Sequence, residues 1–518
     1  MKDGIPTTIG RLVSRAAELW PDRVALVEGD ARITFAEADR RANQVAHALL
    51  SHGIGKGDLV SYLGKSSSDF FFVFWGAAKI GAVFLPFNWR LTPHELSAVT
   101  AKMRPALCFA EAEFAGVAAG LEGVGHVLAL DAAGPAGTLW EWASGQPDAE
   151  PEAEVDPGDV VLVLLTSGTT GVPKGAMLTG DSLIHVRTNQ PAGEIWASWD
   201  TDEVVVLAMP LFHIGGVALS ISGLAYGSKL IVQREFDARE LLGNIARHGA
   251  TRLFIVPSAL KILLQVEGIG PGDFTSLKCI SYGASPISAE LLNECREVFG
   301  CGMAQNYGVT ESSGAVVVLP PADHVEGGAR LSAAGRPLRG VEARAVAPDG
   351  RVLPAGELGE ITLRARSIMK GYWNDPEATA QAIDADGWLR TGDAGHLDDD
   401  GYIYLRARIK DIVISGGENI YPAEIEGALL EHPEVLEAAA FGIPDERWGE
   451  VVRAEVVPVP GAVLTEADVR EWLRARLASY KIPKTFGFPA GLPRNGAGKI
   501  LHRVLRAPYW AGGDREVG

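Results

Sequence analysis

Short β-branched runs recur along this chain, each followed by a helix-length stretch, and that rhythm limits its fold more than any other feature. Residues 24–27, 58–63 and 82–86 read as strands. A helix is expected at 67–79, and another after Thr34, where Ala38, Ala42, Val45, Ala46 and Leu49 share one face. The Thr34 hydroxyl suits the N-cap of that second helix. The rhythm returns at 160–165, 204–207, 229–232, 253–257 and 279–282. Strands joined through helices run parallel, and their sheets are covered on both faces. The expected fold class is α/β, with parallel-rich sheets packed by helices.

The texture changes further on. Residues 116–158 turn rich in Ala, Gly, Pro and acids, which predicts surface or a loose connection at 146–156. After about residue 333, Gly335-Arg-Pro337, Pro348-Asp-Gly350, Pro354-Ala-Gly356 and Asp399-Asp-Gly401 punctuate short apolar strands. This predicts a β-rich subdomain at 333–405. Residues 420–432, 435–442, 450–459 and 466–480 then read as helix, strand, strand and helix, a small α+β unit. The expected domains are 1–408 and 409–518.

The chain has 518 residues and a formal charge of −18. At roughly 100–200 residues per domain it holds two to four domains and needs no disulfide scaffold. The acidity disfavours nucleic acid and anionic membrane as partners, which select basic surfaces. Cys108, Cys279, Cys295 and Cys301 form neither a C-x-x-C pair nor a zinc spacing, which favours a reducing, cytoplasmic setting. Residues 1–20 mix charged with apolar side chains and read as no signal peptide. Residues 204–228 run 25 positions without a charge, but Pro210 and four glycines break them, so no membrane span is expected.

One loop carries an explicit chemical signal. The strand at 160–165 leads into Thr166-Ser-Gly-Thr-Thr-Gly-Val-Pro-Lys-Gly175. The hydroxyls and unobstructed backbone N–H groups of Thr166, Ser167, Gly168, Thr169, Thr170 and Gly171 can wrap a phosphate chain, and Lys174 adds a point charge. The order differs from that of a Walker A loop.

This loop resembles the signature of the adenylate-forming acyl-CoA synthetase family. Four further motifs follow in family order. Gln305-Asn-Tyr-Gly-Val-Thr-Glu-Ser312 resembles Y-G-x-T-E, and Gly387-Trp-Leu-Arg-Thr-Gly-Asp393 resembles W-x-x-T-G-D. Arg408-Ile-Lys-Asp411 with Ser415-Gly-Gly-Glu-Asn-Ile-Tyr-Pro422 resembles the hinge and the loop after it. Pro493-Arg-Asn-Gly-Ala-Gly-Lys499 resembles the C-terminal catalytic-lysine loop. The resemblance implies a large N-terminal domain with a mobile C-terminal one. It also implies an ATP- and Mg²⁺-dependent acid–CoA ligase: a carboxylate attacks the α-phosphate of ATP, then a thiol attacks the acyl-adenylate.

The resemblance assigns residues as follows. Lys499 is the lysine of adenylation, Glu311 the Mg²⁺ ligand, and Thr310 a phosphate contact. Asn306, Tyr307 and Gly308, with Gly283, Ala284 and Ser285, line adenine. Asp393 and Arg408 hold the ribose, Lys410 marks the hinge, and Ser415, Gly416 and Gly417 face CoA. His213, in Met209-Pro-Leu-Phe-His-Ile-Gly-Gly216, gates the carboxylate. The acyl pocket takes His213, Gly215, Gly216, Tyr282, Gly283, Gly308, Gly314 and Ala315.

Those pocket segments carry no charge besides Glu311, so an apolar aryl or medium-to-long acyl group is expected and a dicarboxylate disfavoured. Three positions depart from the family pattern: Gly180 stands where many members have His, Ala407 where Gly is common, and Ser285 where Ala is common. The alternatives are transfer to a carrier protein instead of CoA, and a catalytically dead binding protein. Oligomeric state, a homodimer included, stays open. Finally, residues 470–506 hold nine basic residues against Glu471 alone, a net +8 around Lys499 inside an acidic chain.

Overall fold

Five aromatic residues within one helix organise the core of the large unit. Phe70, Phe71, Phe72, Phe74 and Trp75 of helix Ser68–Lys79 are all buried. They pack with Tyr62 and Phe84 of one sheet in a core that also takes Leu26, Val205 and Leu230 of a second. Ser67 caps the helix, its hydroxyl accepting from the Phe70 N–H. The neighbouring helix Phe35–Ser51 begins as expected, with the Thr34 hydroxyl accepting from the Glu37 N–H. A Cβ at Gly76 would lie 2.9 Å from the Ala42 carbonyl oxygen, so the two helices approach at backbone distance.

This computed structural model describes residues 4–130, 138–166, 173–190, 194–285, 287–324, 328–415, 418–445, 447–477, 479–494 and 499–510. Seven strands form the first sheet. Its parallel part runs His126–Ala129, Leu107–Ala110, Leu59–Leu63, Val83–Pro86 and Val160–Thr166. Lys174–Thr179 and Gly371–Tyr372 then add antiparallel strands at one edge. In the nine-stranded sheet, Val24–Glu28, Lys229–Val232, Val204–Leu207, Arg252–Ile255, Cys279–Gly283 and Gly302–Val309 are parallel. Gly314–Leu319 and Arg336–Pro337 close one side antiparallel, and Ala31–Thr34 the other.

The β-rich stretch is a four-stranded antiparallel sheet of Glu342–Val346, Gly359–Arg364, Leu389–Leu397 and Ile403–Arg408. The fourth sheet uses only residues after the 3₁₀ turn Ile409–Asp411, from Val413–Ser415 to Thr485–Gly487. It has its own core around Ile425, Leu429, Val452, Val456, Val469 and Leu473. The helix expected at 466–480 is shorter than the periodicity suggests, ending at Arg474, and a further helix follows at His502–Trp510.

The stretch at 146–156 is more firmly attached than its composition implies. The Lys79 side chain is wholly buried, and its ammonium pairs with Asp39 (2.8 Å) and Glu150 (2.5 Å). It also donates to the Ser14 hydroxyl, which in turn donates to Glu150. Asn43 donates to the Asp148 carbonyl. A buried ammonium must be paired or it costs several kcal/mol, so Lys79 draws this segment onto the helices. Among the described residues, no helix is long and apolar enough to cross a membrane. Ile214–Tyr226 is the helix within the uncharged 204–228 stretch.

Candidate active site

One hairpin sets the site's geometry. Strand Gly302–Val309 turns through Thr310–Ser312 and returns as Gly314–Leu319. A Cβ at Gly308 would lie 2.0 Å from the Gly314 carbonyl oxygen, so a larger residue could not let the two arms close. The turn is locked by the Val309 N–H donating to the Ser312 hydroxyl at 3.0 Å. Ser313 and Gly314 take left-handed conformations, with φ of 59° and 95°.

The arms deliver two of the expected residues to partners on other strands. The Tyr307 hydroxyl donates to Asp393 Oδ2 at 2.7 Å. Asp393 is buried on strand Leu389–Leu397, where its backbone faces that of Arg408. Its N–H donates to Thr391 Oγ1, whose hydroxyl donates to the Ile361 carbonyl at 2.6 Å. At the turn, Glu311 Oε1 accepts the Tyr372 hydroxyl at 2.7 Å, and the Glu311 carbonyl accepts the Met369 N–H. The Lys174 ammonium lies 5.2 Å from the centre of the Tyr372 ring. Tyr372 therefore joins the phosphate-loop lysine to the acidic residue proposed for the metal. Sequence reasoning missed it. The signal was local and slight: Gly371-Tyr372 pairs with Ala176–Met177, beyond the loop.

The phosphate loop connects two antiparallel strands. Thr166 and Lys174 face each other across this pair, and the Thr166 hydroxyl donates to the Lys174 carbonyl at 3.4 Å. Ser167, Gly168, Thr169, Thr170 and Gly171 lie outside the described residues, as do Gly416 and Gly417. The helix after the loop, Gly180–Thr188, explains the missing histidine at its first position. A Cβ on Gly180 would sit 2.6 Å from the Thr7 carbonyl oxygen, so the N-terminal segment occupies that space.

Gly283 ends its strand 2.1 Å, by its would-be Cβ, from the Asn306 carbonyl oxygen, and Ala284 follows with φ 68°. Ser285 is half-buried beside them. Asn306 donates to the Ala304 carbonyl. Tyr282 points the other way, fully buried, its hydroxyl bonded to Gln305 and His324. A Cβ on Gly215 would meet Phe254, and one on Gly216 the carbonyl oxygens of Met209 and Pro210.

His213 is the N-cap residue of helix Ile214–Tyr226. Its Nε2 is buried without a hydrogen-bond partner among the described residues. Burial, with a smaller contribution from the Arg90 charge, pulls its pKa down to about 4. The imidazole is therefore neutral at pH 7 and is not a counter-ion for an anion.

A charge stands near Gly314 that the expected pocket segments do not themselves carry. Arg187, in the last turn of helix Gly180–Thr188, donates to the Leu183 and Ser313 carbonyls. Its Nη2 is 3.1 Å from where a Gly314 Cβ would be, beside Ile214 and Ala218. Burial lowers its pKa to about 10, so it remains charged at pH 7.

Lys499 is exposed and belongs to the small unit. There it lies close enough to His502 to oppose that ring's protonation. Burial opposes it further, but Glu426, 3.1 Å from His502 Nε2, and Asp411 outweigh both, so the His502 pKa is raised. The positive field expected around Lys499 is weaker than the residue count suggests. Arg470, Arg476, Lys481 and Arg494 pair with Glu466, Glu431, Glu424 and Glu437, all outside the counted segment. Lys410 lies in the turn Ile409–Asp411 and Ser415 at a strand end facing Gly449.

Residues 13–373 match the AMP-binding enzyme family, and residues 424–499 match the AMP-binding enzyme C-terminal domain. A fatty acid–[acyl-carrier-protein] ligase, ScoC, of Streptomyces coeruleorubidus is 39% identical, covering 98% of each chain. A feruloyl-CoA synthase of Amycolatopsis is 36% identical over 97% of this chain and 99% of its own. The ATP-bound crystal structure of MatB from Rhodopseudomonas palustris superposes with a TM-score of 0.87 at 32% identity, covering 96% of this chain and 99% of that one. With family motifs, fold and two-part architecture in agreement, the chain belongs to the AMP-binding enzymes, as an AMP-forming acid–thiol ligase of the acyl-CoA synthetase type.

Proposed function

We propose that this enzyme converts an apolar aryl or medium-to-long-chain carboxylic acid into its CoA thioester, in a reducing, cytoplasmic setting. The observation that carries the reading is that a single hairpin presents Tyr307 to Asp393 and Glu311 to Tyr372 beside Lys174. Asp393, positioned by the Tyr307 hydroxyl, accepts the ribose hydroxyls, while the Tyr307 ring offers adenine a face. Lys174 and the Thr166–Gly171 loop hold the β- and γ-phosphates. All four cysteines are free thiols, which suits the reducing setting.

Glu311 fits a Mg²⁺ site. Its Oε1 is engaged by Tyr372, leaving Oε2 as a hard oxygen ligand. The described residues contain no cluster of three metal-binding side chains, and Mg²⁺ typically rests on one or two carboxylates plus substrate phosphates. A bound Mg²⁺ would neutralise phosphate charge, and Tyr372 orients the carboxylate that would hold it.

In the first half-reaction the substrate carboxylate oxygen attacks the α-phosphorus and pyrophosphate leaves. Lys499 stabilises the charge that develops between these two anions. In the second, the CoA thiolate attacks the acyl carbon and AMP leaves. Rotation of 409–518 about Lys410 exchanges Lys499 for the Ser415–Gly417 loop, so the adenylate stays bound between steps. Neutral His213 lets the acid approach without pairing it.

A carrier-protein thiol is the second reading of the acceptor, favoured by the 39%-identical acyl-carrier-protein ligase. The test is acid-dependent AMP release with CoA, with a phosphopantetheinylated carrier protein, and with neither. Turnover with CoA supports the ligase reading. Adenylate that only the carrier protein discharges overturns CoA as acceptor.

A further inference from the structure

Arg187 is a half-buried cation of the large unit with no counter-charge among the described residues. Among the described residues no carboxylate forms an ion pair with it. Its two identified bonds go to neutral carbonyls, Leu183 and Ser313, on the side of its own helix and of the hairpin turn. Desolvating a guanidinium is unfavourable unless an anion or strong acceptor compensates it, and two carbonyls satisfy two of five N–H donors.

The guanidinium also borders the acyl site. Gly314 and Ala315 belong to the small residues expected to line it, and Ile214 follows directly on the gate residue His213. A side chain at position 314 would press on Nη2 at 3.1 Å and on Ile214 at 3.0 Å. Glycine at 314 keeps a side chain from pressing on the guanidinium from that side, and Arg187 is half-buried. Nearby, the Ser313 hydroxyl is spent on Ser182, so it does not compete for an incoming acceptor.

We propose that Arg187 is a specificity-determining residue that binds an oxygen acceptor on the far end of the acid, a second carboxylate or a hydroxyl, while the body of the acid stays apolar. The proposal rests on the acid–thiol ligase reading and on the acyl site lying beside Gly314. A planar fork suits a carboxylate best, and a buried charge-assisted pair is the strongest contact such a pocket can make.

The test uses pairs of acids that differ only at the far end: octanoate against octanedioate, dodecanoate against dodecanedioate, and cinnamate against 4-hydroxycinnamate and 4-carboxycinnamate. Pyrophosphate release is measured with the wild-type enzyme, Arg187→Met and Arg187→Lys. The wild type is expected to favour the oxygen-bearing member of at least one pair by about 10- to 100-fold in kcat/KM, the scale of leaving a buried donor unpaired. Arg187→Met should bring that ratio to within about threefold of one, through a raised KM for the oxygen-bearing acid, with Arg187→Lys between. A wild-type ratio at or below one in every pair overturns the proposal without any variant. So does an Arg187→Met enzyme that loses both members equally, which would make Arg187 a brace for the hairpin turn. Release from none of the acids overturns the ligase reading, and this inference with it.

Discussion

The nucleotide side of the site and the lysine proposed to act on it are built in opposite ways. Asp393, on strand Leu389–Leu397, and Glu311, in the turn between two paired strands, each accept a tyrosine hydroxyl at 2.7 Å. Lys499 sits exposed in the separate small unit, close to His502. Groups that hold the nucleotide through both half-reactions profit from being fixed beforehand, because their orientation is then established at folding. A group needed in only one half-reaction has to arrive and leave, and a rigid network around it would hinder that.

The largest effect expected from this contrast is on Lys499→Ala. Adenylation should fall by about 10²- to 10³-fold, as for loss of a group that stabilises charge at a reacting centre. Thioester formation from preformed adenylate should change little. Equal loss in both half-reactions would break the comparison, since Lys499 would then be no different from the fixed side.

Lys79→Ala tests whether the large unit depends on its buried frame. It leaves Asp39 and Glu150 without their cation and is expected to cost about 3–5 kcal/mol in unfolding free energy. Denaturant unfolding measures it, and a loss below ~1 kcal/mol would mean the strap at 146–156 contributes little.

Tyr307→Phe sharpens the contrast from the fixed side. It removes the hydroxyl from buried Asp393 at an expected cost of about 1–3 kcal/mol, seen as weaker ATP binding and slower turnover in both half-reactions. An effect confined to adenylation would contradict a nucleotide side that stays in place.

The smallest effect is a pH dependence. His213 has a folded pKa of about 4 against 6.5 when unfolded, so the unfolded chain binds more protons between those values. Its contribution therefore destabilises the fold progressively as pH falls from 6.5 to about 4, and it is absent above 6.5. His213→Leu should flatten the acid limb of a melting-temperature profile over that window and leave neutral pH nearly unchanged. An unaltered acid limb would place the imidazole in contact with water.

Much of the fold was legible because its signals are local. The hydroxyls of Thr34 and Ser67 cap helices through neighbours three residues away. The β-branched runs at 204–207 and 229–232 became strands as read, because burial on both sheet faces selects such residues. The site was legible where a motif is continuous, as with Tyr307 and Glu311 on one hairpin. It was not legible at Tyr372, whose role depends on an edge strand reaching back to Ala176, nor at Arg187, one of several polar residues in a mixed helix.

Sequence alone determined the reaction class, since the motifs that carry the family resemblance each occupy a short continuous segment and occur in family order. Only the tertiary structure decided which of them meet. Tyr372 reaches Glu311 across 61 residues, Tyr307 reaches Asp393 across 86, and Arg187 reaches Ser313 across 126. Contacts at such separations are chosen by sheet order and helix packing, not by neighbouring side chains. That is why the kind of chemistry could be read from the chain, while the guanidinium beside Ser313 and Gly314 became visible only once the helix and the hairpin were packed together.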